Sequence, residues 1–131
     1  MKSRAFSLVE ILVVIAILAV LAALVLPQII NIRGSAHLST ARQQQVELQT
    51  ALGNWIVAQS SGGGGLAAAK AAYTGNKLAL LQNYLQTATY SSLSGSNNDV
   101  SSAALDGANA KLKFSAWPAG AGQPSVLWVN K

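Results

Sequence analysis

The sequence predicts an α+β chain: one long N-terminal helix, membrane-embedded over its first half, packs against a small head with short helices and a C-terminal antiparallel β-hairpin. Three observations carry this. From Phe6 to Leu26 only Ser7 and Glu10 are polar; apolar residues then recur at helical spacing as far as Trp55; and near the C-terminus the period changes to two. The expected segments are a short basic stretch at 1–5, an apolar helix at 6–27, its amphipathic continuation at 28–60 and a small globular head at 61–131.

Composition narrows the function. The chain has 131 residues and a formal net charge of +5, but charged residues make up only 10% of it, well below the roughly 25% of soluble domains. Its basic residues form no long run, so the clustered cations and interleaved aromatics of a nucleic-acid groove are missing. There is no cysteine and one histidine, His37, which removes disulfides and thiolate metal sites.

The 21 residues Phe6 to Leu26, at about 1.5 Å each, span roughly the 30 Å hydrocarbon core of a bilayer. Lys2 and Arg4 precede them, which keeps the N-terminus cytoplasmic and sends the rest of the chain outward. A secretory signal peptide cut near Ala22 or Ala23 fits this pattern, and so does a plain single-pass anchor. Neither explains Glu10. A carboxylate in such a segment costs about 2.5–3.5 kcal/mol at the helix centre and less near an end, so it asks for a partner. A capping box, with Ser7 as N-cap and Glu10 three residues on, supplies a local one.

The stretch Phe6-Ser7-Leu8-Val9-Glu10-Ile11-Leu12-Val13-Val14-Ile15-Ala16-Ile17 resembles the N-terminal signal of type IV pilins and the pseudopilins of type II secretion. The resemblance covers roughly residues 3 to 35. It implies a type IV pilin-like fold and cleavage of a basic leader, containing Lys2 and Arg4, between Ala5 and Phe6. It also implies N-methylation of Phe6 and a role for Glu10 in assembly. One departure is Ala5, where the family most often has glycine.

What the resemblance implies has a physical basis. Cleavage exposes an α-amine on Phe6, a group with an ordinary pKa near 8. Glu10 of a neighbouring subunit is then its expected counter-charge, with desolvation offsetting much of the attraction. Ala16, Ala19, Ala22 and Ala23 allow helices to approach closely, which is also ordinary membrane-helix composition.

Beyond the apolar run, Leu38, Ala41, Leu48, Leu52 and Trp55 line one side of a helix, with Val46 and Ile56 widening that face; Arg42, Gln44, Glu47 and Gln49 occupy the other. Pro27 and Gly34 are the expected kink positions, since proline removes a main-chain hydrogen bond and glycine weakens the helix. In the family this region is thought to loosen when subunits pack; a simple membrane-exit kink explains it equally well. His37 is expected at the surface.

Ser60-Ser61-Gly62-Gly63-Gly64-Gly65 ends the long helix and lacks the Gly-Lys-Ser/Thr ending of a phosphate loop. Short helices follow over Leu66–Tyr73 and around Leu78, Leu81 and Leu85. Residues 91–109, rich in Ser, Asn, Gly and Ala, read as a loop with at most one helical turn. Major pseudopilins often hold calcium in a comparable loop, but Asp99 and Asp106 are the only acids here, too few for a compact calcium site. No metal or other cofactor is expected. Leu112, Phe114 and Ala116 then alternate with Lys111, Lys113 and Ser115, and Ser125–Val129 forms the second strand of the hairpin.

No nucleophile has an identifiable base and orienting group, so an enzyme is not expected. The expected function is a structural subunit of a type II secretion pseudopilus or type IV pilus in the bacterial inner membrane, its head periplasmic or extracellular. Its expected partners are a prepilin peptidase and methylase, an inner-membrane assembly platform, and copies or relatives in a homo- or hetero-oligomeric filament. The alternative is a single-pass membrane protein whose periplasmic head binds a ligand or DNA through Lys111, Lys113 and Lys131; nucleic acid is the less expected partner.

Overall fold

The computed structural model describes residues 7–131, apart from the side chains of Leu26, Pro27, Ile30 and Asn31. Lys2, Arg4, Ala5 and Phe6 lie outside the described residues. The chain divides into two units, Met1–Ser35 and Ala36–Lys131. Helix α1 (Leu8–Ser60) contributes to both and is helical at Pro27 and Gly34.

Among its described residues the first unit is a single helix from Leu8 onward. Leu8–Val25 is long and apolar enough to cross a membrane, and its large side chains are exposed on every side of the helix. No set of polar residues marks a solvent face, as expected of a segment whose surroundings are apolar.

In the second unit the remainder of α1 carries the core. Ala41, Gln44, Leu48, Ala51, Leu52, Trp55 and Ile56 are buried, spaced three and four residues apart so that they form one stripe. The stripe is narrower in apolar residues than expected. Val46 is 65% exposed because it lies on the side of the helix opposite the buried residues, and Leu38 is 45% exposed although it shares the angular position of buried Ile56, since it precedes the buried stripe that begins at Ala41.

The glycine run is a tight turn: Gly63 and Gly65 adopt positive φ of 93° and 56°, which glycine takes without the steric cost a side chain brings. Helix α2 (Gly65–Ala72) follows and buries Ala69. Helix α3 (Lys77–Leu80) begins at Asn76, whose side chain accepts from the Leu78 amide. A single 3-10 turn, Gln82–Tyr84, leads to α4 (Thr87–Ser92).

The hairpin is present and is part of a larger sheet. Strands β1 (Ser94–Ser96) and β2 (Asp99–Ser101) precede α5 (Ala103–Gly107), and β3 (Ala110–Phe114) and β4 (Val126–Asn130) complete the chain. The order is β1-β2-β3-β4, with every neighbour antiparallel. Residues 91–109 are therefore not the expected loop. Asn97, at φ 53°, turns the chain between β1 and β2, a conformation asparagine tolerates better than most. Ser102 caps α5 by accepting from the Leu105 amide.

One face of the sheet supplies the core. Val100, Leu112 and Phe114 are essentially inaccessible, as are Leu105 of α5 and Leu81. Burial against α1 is what stabilises strands of three to five residues, too short to persist alone.

Candidate functional site

Ser7 opens α1 with its backbone: its carbonyl accepts from the amides of Glu10 at 3.0 Å and Ile11 at 3.4 Å. Glu10 lies in the first turn, where exposed amides make a carboxylate favourable. Among the described residues its side chain has no hydrogen-bond or ion-pair partner, so the two side-chain bonds of a capping box are not formed there. Glu10 is thus an exposed carboxylate, without a partner among the described residues, at the start of a membrane-length apolar helix.

Side chains along this helix leave shallow grooves. One is lined by Val13, Ala16, Ile17, Val20 and Leu21 and is almost wholly apolar. Ala16 is the smallest side chain lining it, where another helix can approach closely.

The head offers little chemistry for a ligand. Lys111 pairs with Asp99 at 3.2 Å and Lys131 with Asp106. Of the three lysines considered for a ligand or nucleic acid, only Lys113 lacks a carboxylate partner among the described residues. The same pairs engage both aspartates, and among the described residues no three His, Asp or Glu side chains gather as a metal site would need. The shallow pocket beside them, lined by Ser94, Ser96, Ser101, Asp99 and Lys111, is open and carries an already paired charge.

Other polar groups hold the head to α1. Gln45 donates to the Val126 carbonyl at 3.1 Å, and Gln49 accepts from the Val126 amide at 2.7 Å, so two glutamines satisfy the start of β4. Gln44 is buried and bonded to both Ser92 and Ser102. Gln44 therefore faces the head, and Gln49, although exposed, reaches it through its side-chain oxygen. Periodicity misses this because it scores glutamine as polar, whereas a long amide can span the gap between helix and sheet.

Tyr73 stands between Trp55 and Trp117, with ring centroids at 5.9 and 5.7 Å, and its hydroxyl donates to the Ser115 carbonyl. Burial pushes its phenol up to about 12. Lys77 Nζ donates to the carbonyls of Tyr73 and Gly75 while lying over the Tyr73 ring. These groups are packed and hydrogen-bonded within the head, and Trp55 has the packing role expected of it.

The family model of the prokaryotic N-terminal methylation motif matches residues 1–26. The match includes the basic residues, Phe6, Glu10 and the apolar run, and leaves the head uncovered. No curated protein and no solved structure matches the chain. The chain thus carries a prepilin-type N-terminal signal, joined to a helix of membrane-spanning length.

Proposed function

We propose that this chain is a structural subunit of a type IV pilin-like filament, either a type II secretion pseudopilus or a type IV pilus. The observation that carries the reading is Glu10: a carboxylate without a partner among the described residues, at the start of an exposed apolar helix and within the matched methylation motif. A prepilin peptidase cuts between Ala5 and Phe6 and the new N-terminus is methylated. The head stays outside the cytoplasmic face of the inner membrane while residues 6–27 span it. An assembly platform in that membrane then draws the subunit into the filament.

Assembly resolves two costs together. The apolar surface of α1 exchanges lipid for the same surface on neighbouring copies, and Glu10 neutralises the Phe6 amine of a neighbour. The partner in this reading is another subunit, since a head-to-tail array brings the amine of one copy to the carboxylate of the next. Pro27 and Gly34 give the helix places to adjust as it leaves the bilayer.

Glu10→Ala tests the reading. The variant is processed at Phe6 to the same extent as the parent chain and accumulates in membranes, but filament yield collapses. Full filament yield from Glu10→Ala would remove the proposed role of the carboxylate.

A further inference from the structure

The head's described carboxylates fall into two kinds. Asp99 and Asp106 are each paired with a lysine. Glu47 is not: Oε1 accepts from Gln43 at 3.1 Å and Oε2 from the Thr89 hydroxyl at 2.7 Å, both neutral donors. Its charge is held in place and left unmatched.

Arg42 is the complementary case. Its guanidinium lies 4.0 Å from the centroid of the Trp128 ring and donates once, to Gln45 at 3.3 Å. Among the described residues no carboxylate pairs with it. Stacking orients the planar group and leaves most of its donors free.

Arg42 and Glu47 lie on opposite margins of the same helix. Five residues separate them, about 140° around an α-helix, with Arg42 turned toward β4 and Glu47 toward α4. Between the margins run Val46, Thr50, Gly53 and Val57, the face the head leaves uncovered; Val46 and Val57 are 65% and 62% exposed.

We propose that this face docks a second copy of the chain head to tail, Arg42 of one copy pairing with Glu47 of the next. The choice of occupant rests on charge complementarity. Antiparallel helices meeting about a twofold axis would bring like margins together. Parallel helices about a twofold would leave each pair out of step by five residues, about 7.5 Å. A displacement of that size along the helix, with the next copy set against one margin of the face and turned by less than a half-turn, closes one pair at every contact and leaves the other margin free for a further copy, which is the heterologous geometry of an open filament. The inference rests on the assembly reading above, whose Phe6–Glu10 pairing asks for a displacement in the same sense of four residues, about 6 Å.

The chain has no cysteine, so the double variant R42C/E47C carries the only thiols. Treated with a short bismaleimide in isolated filaments, it should give a ladder of dimers, trimers and higher species, while R42C and E47C alone stay monomeric. Filaments without a ladder overturn the docking proposal and leave the assembly reading standing. Dimers from either single variant point to a twofold contact and overturn it as well. A ladder in membranes from which neither the variant nor the parent chain forms filaments supports the docking contact and removes the filament reading, and no ladder together with no filaments from the parent chain removes both. As a second readout, E47Q, which keeps its side-chain acceptor and loses the charge, should lower filament yield several-fold. Thr89→Val, which removes the local hydrogen bond and keeps the charge, should not. Full yield from E47Q overturns the proposal.

Discussion

Ser102 donates its hydroxyl to the side-chain oxygen of Gln44 at 2.7 Å, and the same hydroxyl oxygen accepts from the Leu105 amide at 3.2 Å. One serine thereby caps α5 and ties it to the buried face of α1. Ser102→Ala removes the cap and leaves the Gln44 oxygen without that donor. A loss of about 1–3 kcal/mol in unfolding free energy is expected, read by denaturant titration of the full chain in detergent micelles. A change below about 0.5 kcal/mol would mean the bond is replaced by water.

Gly107 of α5 lies against His37 of α1. A methyl at Gly107 would stand 2.5 Å from His37 Cγ, close to the ring's attachment point, where it cannot swing aside freely. Gly107→Ala should lower stability by about 1–3 kcal/mol. Trimming His37 to alanine in the same chain should restore part of it, so a double-mutant cycle should show coupling of at least about 0.5 kcal/mol. Additivity would contradict the contact.

Tyr73 sets an alkaline limit on the head. Its phenol is raised by burial to about 12, from the ordinary value of 10.0. Between those values the unfolded chain has released a proton that the folded chain keeps. The contribution is complete below pH 10 and is lost as pH rises toward 12. Stability should fall across that window, and fall less steeply in Tyr73→Phe. The difference in phenolate absorbance between the two proteins should titrate near 12, and a midpoint near 10 would contradict the burial.

Gly53 lies inside α1, and a methyl there would meet nothing within 4 Å. Gly53→Ala should raise the stability of the chain in micelles by about 0.5–1 kcal/mol, through helix propensity alone. Destabilisation of the dispersed chain would show a local constraint on the backbone.

The long helix and the β3–β4 hairpin are legible in the sequence because each rests on one strong period, and the burial of Leu48, Leu52, Trp55, Leu112 and Phe114 follows that pattern. Strands β1 and β2 are not legible: Ser-Gly-Ser and Asp-Val-Ser contain one large apolar residue between them, Val100. They exist because β3 offers β2 a ladder to pair with and α3 packs against β1, Leu78 lying on Gly95. The buried Gln44 and the exposed Val46 escape periodicity for a related reason, since only the head's placement decides which arc of α1 is covered. Glu10 stands out in sequence because it interrupts an apolar run. Glu47 does not, because its unmatched charge becomes visible only once Asp99 and Asp106 are seen to be paired.

The most direct test of the filament reading is intact mass and N-terminal sequencing of the protein recovered from membranes. The account predicts a chain beginning at Phe6 and carrying one methyl group on its amine. A chain beginning at Met1 would leave a plain membrane anchor, and one beginning near Ala23 or Leu24 would identify a secretory signal; either result contradicts the account.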